Sequence, residues 1–283
     1  MPADNDNDTA TATATAYRSV FLSDIHLGTR GCQAELLLDF LRHMTCEQLY
    51  LIGDIVDGWK MNSGLYWPQS HNDVVQKFLQ QARKGVQVTY IPGNHDDRVR
   101  DFCGVHFGGV LVARDIVHQT ADGRRFLVVH GDEFDTVLRR AAWIAHGGDI
   151  AYRAALALNT LLNHIRRRLG FGYWSLSAFL KSRVKNALKF IDNFVGALAG
   201  EARRRNLDGV ICGHIHKAQM RDIDGTLYVN DGDWVESCTA LVEHFDGRLE
   251  ILKWAEQRSW SMIERARRVD EPVRAPWMEP QPA

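Results

Sequence analysis

Short apolar runs, each closed by polar residues and glycine, pattern the first hundred residues. Tyr17 to Leu22 stops at Ser23-Asp24-Ile25-His26-Leu27-Gly28, and Leu49 to Ile52 stops at Gly53-Asp54-Ile55-Val56-Asp57-Gly58. A third run, Val86 to Ile91, stops at Pro92-Gly93-Asn94-His95-Asp96-Asp97. Runs this short, bounded by turn residues, predict buried strands. Between them, residues 33–43 and 71–84 carry apolar side chains at helical spacing. Strand, polar turn and helix in alternation predict parallel strands with helices packed on the sheet.

The pattern then turns toward β. Runs at 110–112, 115–119 and 125–129 surround an Ala121-Asp122-Gly123 turn, and the last ends at His130-Gly131-Asp132. Gly209 to Cys212 leads into Gly213-His214-Ile215-His216. Strands follow at 226–230, 238–244 and 248–253, with turns at Asp224-Gly225 and Asp246-Gly247. Residues 136–206 are helical in pattern. The expected fold class is α/β, layered sheets rather than a barrel, spanning residues 17–257 with the helical insertion at 136–206. Residues 1–16, acidic and then alternating Thr and Ala, are expected to form a disordered leader. Residues 258–283, rich in charge and proline, are expected to form an extended arm.

With 283 residues at 45% hydrophobic content, the chain can bury the core of one large domain. A formal net charge of -1 gives no overall bias toward nucleic acid or membrane. The five cysteines are odd in number and never spaced CxxC, which argues against a disulfide framework or a cysteine zinc site. Reduced, mostly buried thiols and a cytoplasmic location are expected. No apolar run approaches the roughly 18 residues of a transmembrane helix.

Chemistry concentrates where strands end. Asp24/His26, Asp54/Asp57, Asn94/His95, His130 and His214/His216 each follow an apolar run. In an open α/β sheet the strand C-termini line the crevice where ligands bind, so groups far apart in sequence converge there. Carboxylate, imidazole and amide ligands suit divalent cations. In Asp24-x-His26 and His214-x-His216, alternate residues of an extended segment are expected to face one site. Any one of these residues alone reads as a helix cap, a turn or a surface histidine; five clusters in this order do not. Asp57 has the simpler reading of a cap for the segment that follows. Mixed nitrogen and oxygen ligands without thiolate favour Mn²⁺, with Fe²⁺ and Zn²⁺ suiting the same set, over Mg²⁺ or Ca²⁺.

The series Asp24-x-His26, Gly53-Asp54-x-x-Asp57, Gly93-Asn94-His95-Asp96, His130, Gly213-His214-x-His216 resembles the signature of calcineurin-like metallophosphoesterases over residues 19 to about 245. The resemblance implies a β-sandwich flanked by helices, with the helical insertion as its variable part. It also implies a first metal ion on Asp24, His26 and His216, a second on Asn94, His130 and His214, and Asp54 bridging both. Two such cations, about 3.5–4 Å apart, activate water and clamp phosphoryl oxygens. Next to Asn94, His95 is the expected acid for the leaving group or a binder of the phosphate oxyanion, with Asp96 orienting it.

Residues 139–189 hold ten Lys or Arg against one acid, Asp149, amid large apolar side chains. Gly170-Phe171-Gly172 breaks the helical pattern there, which predicts a helical hairpin. Arg166, Arg167, Arg168, Phe171, Trp174, Lys181 and Lys185 are its candidate substrate-binding residues. Such a hairpin suits an anionic amphiphile at an inner-leaflet membrane surface; its simpler reading is an amphipathic face packed on the core. No base-reading module is visible, so nucleic acid is not an expected partner. The oligomeric state is not legible.

Within the superfamily, SDIHLG (23–28), GDIVDGW (53–59), GNHDD (93–97), HGDEFD (130–135), GHIHKA (213–218) and YVNDGDWVESCTALVE (228–243) are similar to the UDP-2,3-diacylglucosamine pyrophosphatase group of lipid A biosynthesis. That resemblance implies hydrolysis of a nucleotide-linked lipid to UMP and an acylated sugar phosphate, and a peripheral place at the inner membrane. That group carries Arg after the Asn ligand, where this chain has His95. The alternatives are a soluble nucleotide phosphodiesterase or phosphomonoesterase, and a scaffold that has lost catalysis; the full set of seven ligand positions argues against the scaffold.

Overall fold

The computed structural model describes residues 14–61, 66–134 and 191–257. Its first sheet has seven strands in the order β12-β11-β1-β2-β3-β5-β4. These are β1 (Thr15–Leu22), β2 (Met44–Ile52), β3 (Gln87–Ile91), β4 (His106–Phe107), β5 (Val110–Val112), β11 (Thr239–Glu243) and β12 (Leu249–Lys253). The second sheet has five strands in the order β6-β7-β8-β10-β9. These are β6 (Ile116–Gln119), β7 (Arg125–Val128), β8 (Gly209–Cys212), β9 (Gln219–Ile223) and β10 (Thr226–Asn230). The helices are α1 (Ala34–Arg42), α2 (Gly58–Met61), α3 (Gln69–Arg83) and α4, residues 191–204.

Side-chain alternation along the strands builds three apolar layers. From β1, Val20 and Leu22 point toward α1 and α3, where they meet Leu37, Leu41, Val74 and Phe78. Phe21 points the opposite way and joins Tyr50, Ile52, Ile91 and Leu241 against Phe126, Val128, Ile211 and Val229 of the second sheet. Beyond the second sheet, Leu127, Val210 and Tyr228 pack on Phe194, Val195, Leu198 and Ala202 of α4. The result is a sandwich with a helical layer on each side. Because both faces are covered, β11 is buried along its whole length and β2 over its last four residues.

The parallel pairs β1–β2, β2–β3 and β7–β8–β10 set the strand C-termini together. Two strands escape the apolar pattern. The edge strand β9 pairs with β10 and sends only Ile223 against the core, so a largely polar sequence, Gln-Met-Arg-Asp-Ile, suffices. The two residues of β4 are both exposed. Strand β1 begins at Thr15, so the last two residues expected in the leader pair with Met44 and Thr45. Of the expected insertion, α4 is part of the core, while residues 135–190 lie outside the described residues, as does the arm at 258–283.

Candidate metal centre

Six loops meet at one end of the sandwich. They follow β1, β2, β3, β7, β8 and β10, and backbone bonds stitch them together. Asp24 N donates to Gly53 O (3.1 Å), His26 N to Asp54 O (2.8 Å), Gly213 N to His130 O (3.2 Å) and Trp234 N to Asp24 O (3.1 Å).

The ligand pairs do not use strand alternation. The φ angles are positive at Asp24 (48°), His26 (53°), Asp54 (53°), His214 (72°) and His216 (50°). Strands β1 and β8 end at Leu22 and Cys212, and beyond them the chain turns through left-handed residues that aim side chains inward. Non-glycine residues in this region cost energy and persist where surrounding structure over-determines them. The inter-loop bonds supply that constraint.

Three groups form, in each of which the candidate ligand atoms lie within 4.8 Å of one another: Asp24/His26/His216, Asp54/His130/His214 and His26/Asp57/His95. Asp54 Oδ2 stands 3.5 Å from His130 Nε2 and 3.9 Å from both His26 Nε2 and His95 Nε2. His26 Nε2 and His216 Nε2 converge at 3.4 Å. Asp54 Oδ1 faces away and accepts from His95 N at 2.8 Å.

Close packing explains two glycines. A Cβ on Gly93 would lie 2.3 Å from Asp54 Oδ1, and one on Gly53 would lie 2.3 Å from the His130 ring. Gly53 also has φ 73°, so both space and conformation demand glycine there.

The imidazoles are set in defined orientations. His130 Nδ1 is 2.9 Å from Ile52 O; a carbonyl only accepts, so the proton sits on Nδ1 and Nε2 turns its lone pair inward. His26 Nδ1 likewise reaches Asp57 Oδ2 at 3.3 Å, and His95 Nδ1 stands 3.1 Å from the same oxygen. Asp57, 2% exposed, therefore holds two histidines rather than merely capping a helix.

Asp96 does not orient His95. Its Oδ2 accepts from Ile55 N (2.9 Å), Val56 N (3.4 Å) and Tyr90 Oη, and its Oδ1 accepts from Gly93 N. Both oxygens are taken by backbone and phenol, so Asp96 ties the Asn94 loop to the Asp54 loop. Asp57 occupies the position beside His95 that sequence reasoning gave to Asp96.

Sequence reasoning also missed the groups behind Asp24. Its Oδ2 accepts from Ser23 Oγ (2.6 Å) and His214 N (2.8 Å), and Ser23 Oγ lies 2.6 Å from Asp231 Oδ1. Asp24 Oδ1 is thereby left facing the site. Nothing in the spacing of Ser23 and Asp231 announces this contact. The candidate substrate residues Arg166, Arg167, Arg168, Phe171, Trp174, Lys181 and Lys185 lie outside the described residues.

The electrostatics are those of a cation site. Burial pushes the Asp54 carboxyl up, but His130, His95 and His26 outweigh it and hold it far below the carboxylate range. Burial pulls His130 down, and the Asp54 and Asp24 charges reverse this, pushing it up to about 10. The same balance against Asp24 pushes His216 up to about 9. Burial also pulls His95 down, and Asp57 and Asp54 raise it above the usual imidazole range. A divalent cation satisfies the same field while leaving the imidazoles neutral. Asn94 Oδ1 is buried with no hydrogen-bond partner among the described residues, while the inward atoms Asp24 Oδ1 and His130 Nε2 face other members of the site, His216 Nε2 at 3.1 Å and Asp54 Oδ2 at 3.5 Å. Buried polar atoms seldom go unpaired. Inward-facing oxygen and imidazole nitrogen atoms are the donors that divalent metals take, so these residues fit such ions.

The sequence pattern of calcineurin-like phosphoesterases matches residues 17–218. The chain belongs to that family. As a calcineurin-like phosphoesterase it is a metal-dependent hydrolase, and the family implies divalent metal ions. Its relatives include a UDP-2,3-diacylglucosamine hydrolase of Neisseria gonorrhoeae, 28% identical over 224 residues, which span 76% of this chain and 89% of that one. A protein of the same name from Aeromonas hydrophila is 25% identical over 241 residues, 79% of this chain and 93% of the other. Among solved structures, the zinc complex of Vps29 from Entamoeba histolytica superposes with a TM-score of 0.41 at 11% identity, covering 83% of this chain and 98% of that one.

Proposed function

We propose that this phosphoesterase is a dinuclear hydrolase that cleaves the diphosphate of UDP-2,3-diacylglucosamine, or of a related nucleotide-linked lipid, to UMP and an acylated sugar phosphate. The observation that carries the dinuclear reading is the arrangement of Asp24/His26/His216 and Asp54/His130/His214 as two groups, with Asp54 Oδ2 in reach of histidines from both. Asn94, whose Oδ1 is buried and unpaired, completes the second group. The substrate follows from the names of the relatives, which align over three quarters of the chain.

Held by these residues, two divalent cations would supply Lewis acidity to the phosphoryl oxygens and would lower the pKa of attacking water. Mn²⁺ is the metal we assign to this nitrogen and oxygen donor set. His95 Nδ1 is engaged by Asp57, so Nε2 is the atom free to carry a proton to the departing oxygen. Ser23 and the His214 amide fix one oxygen of Asp24 so that the other stays directed inward. The basic and apolar residues of 139–189, Arg166 to Arg168, Phe171, Trp174, Lys181 and Lys185 among them, serve the acylated part of the substrate at the membrane surface.

His95 in place of the arginine of the lipid-specific group favours a second reading, a soluble nucleotide phosphodiesterase. UMP and phosphate release with Mn²⁺ separates the two, using UDP-2,3-diacylglucosamine, UDP-sugars, cyclic nucleotides and a chromogenic diester, with Asp54→Ala as control. Turnover confined to the lipid-linked substrate and abolished in the control supports the first reading. Preference for small soluble esters overturns the lipid assignment.

A further inference from the structure

We infer that Trp59 is the platform on which the nucleobase of the substrate stacks, a specificity-determining contact beside the metal centre. The inference rests on the nucleotide-linked substrate proposed above. Trp59 follows Asp57 by two residues, on the one-turn helix α2, and is 53% exposed among the described residues, whereas Trp234 is fully buried. One face of its indole lies on the His95 imidazole, with ring centroids 4.3 Å apart and planes inclined by 32°. The imidazole and its backbone need no further support. His95 N is held by Asp54 Oδ1 (2.8 Å), its carbonyl oxygen by Gly58 N (3.0 Å) and its Nδ1 by Asp57 (3.1 Å). The ring of His26 packs edge-on against it at 4.7 Å.

The indole therefore spends one face on a side chain that is already fixed and leaves much of its surface in water, next to where phosphate chemistry takes place. His95 Nε2 is 3.9 Å from Asp54 Oδ2, so the indole stands one side chain back from the cleaved phosphate. A ribose sets a similar gap between a nucleotide's phosphate and its base. The chemistry selects a base over an acyl chain. The ring behind Trp59 is an imidazole flanked by Asp54 and Asp57, so the platform belongs to the polar surround of the metal centre rather than to an apolar channel for an alkyl chain. A planar heterocycle stacks face-on upon the indole and keeps its polar edge in water.

The test is calorimetric titration of the full-length, Mn²⁺-loaded protein with UMP, ribose 5-phosphate and inorganic phosphate. The middle ligand is the first without its base. For the native chain, UMP is expected to bind about 10- to 100-fold tighter than ribose 5-phosphate, the range of base stacking on an aromatic side chain. In Trp59→Ala the UMP affinity falls to that of ribose 5-phosphate, while the two base-free ligands bind as before; Trp59→Phe keeps part of the preference. Equal binding of UMP and ribose 5-phosphate by the native chain overturns the inference. So does equal weakening of all three ligands in Trp59→Ala, which marks a buttress for His95, or a UMP preference that survives the substitution. A variant that binds UMP normally but loses an acylated sugar phosphate gives the platform to the lipid instead and also overturns it. Failure of the substrate reading shows separately, as absence of UMP release from UDP-2,3-diacylglucosamine by a native chain whose UMP binding still depends on Trp59.

Discussion

Glu243 sits inside the sandwich, away from the metal centre, and is 0% exposed. Its carboxylate accepts from Arg18 Nη1 (2.7 and 2.8 Å), Ser19 Oγ (2.6 Å) and Ala121 N (2.8 Å), and pairs with His118 Nε2 (2.9 Å). Arg18 and Ser19 belong to the first sheet, His118 to the second, so this one carboxylate joins both. Burial alone would raise its pKa; His118, Ser19 and the Ala121 amide reverse that and hold it at about 2, against 4.5 for a free glutamate. A depression of that size corresponds to about 3 kcal/mol of folding stability. Replacing the carboxylate with an amide removes the charge and turns an NH₂ toward groups that are themselves donors. Glu243→Gln should therefore cost about 3 kcal/mol at pH 7, within the range for breaking a buried pair on one side. Because the folded pKa is the depressed one, this stability is complete above about pH 5 and is lost as pH falls toward 2. By pH 3 about 2 kcal/mol of it has gone. Urea unfolding of both proteins at pH 7, 5, 4 and 3 measures the difference, and acid effects common to both cancel in the comparison. The reasoning is refuted by a difference below about 1 kcal/mol at pH 7, or by one that stays constant down to pH 3.

Asp57→Asn removes the shared acceptor of His26 and His95 and should weaken metal binding and lower kcat by about 10- to 100-fold, read by metal titration and steady-state kinetics. Gly93→Ala puts a Cβ 2.3 Å from Asp54 Oδ1; far-UV circular dichroism should show the fold retained while metal affinity falls by about 10-fold or more. Burial drives the Asp231 carboxyl, beside Ser23, well above the carboxylate range. A raised carboxyl pKa lowers stability as pH climbs past the unfolded value, so Asp231→Asn should match or exceed the native chain in urea at pH 8. A loss above about 2 kcal/mol would show that the carboxylate form is the one required.

Much of the fold was legible because burial on two faces leaves a mark on composition. The runs ending at Leu22, Ile52, Ile91, Val129 and Cys212 became β1, β2, β3, β7 and β8, with boundaries shifted by a few residues. Helices α1 and α3 kept the spacing that their apolar stripes predict. Strand β9 left no such mark, since backbone pairing with β10 and the one core contact of Ile223 hold an otherwise polar edge strand. The polar clusters were equally visible, because the ends of buried parallel strands are where a chain must leave the core and where ligands gather.

The primary structure thus determined the layered α/β class and which carboxylates and imidazoles meet at the strand ends. Only the tertiary structure decided how they meet. Alternation along extended segments was the expectation for Asp24/His26 and His214/His216, and left-handed turns braced by neighbouring loops are what occurs. Asp96 follows His95 in the chain, but its oxygens bind backbone from residues 55 and 56, and Asp57 takes the imidazole. Asp231 lies some two hundred residues from Ser23 yet sets the orientation of Asp24 through it. Periodicity reports which face a residue turns to the core. The partner of a buried polar atom is fixed by long-range loop packing, and that information resides in no local stretch of sequence.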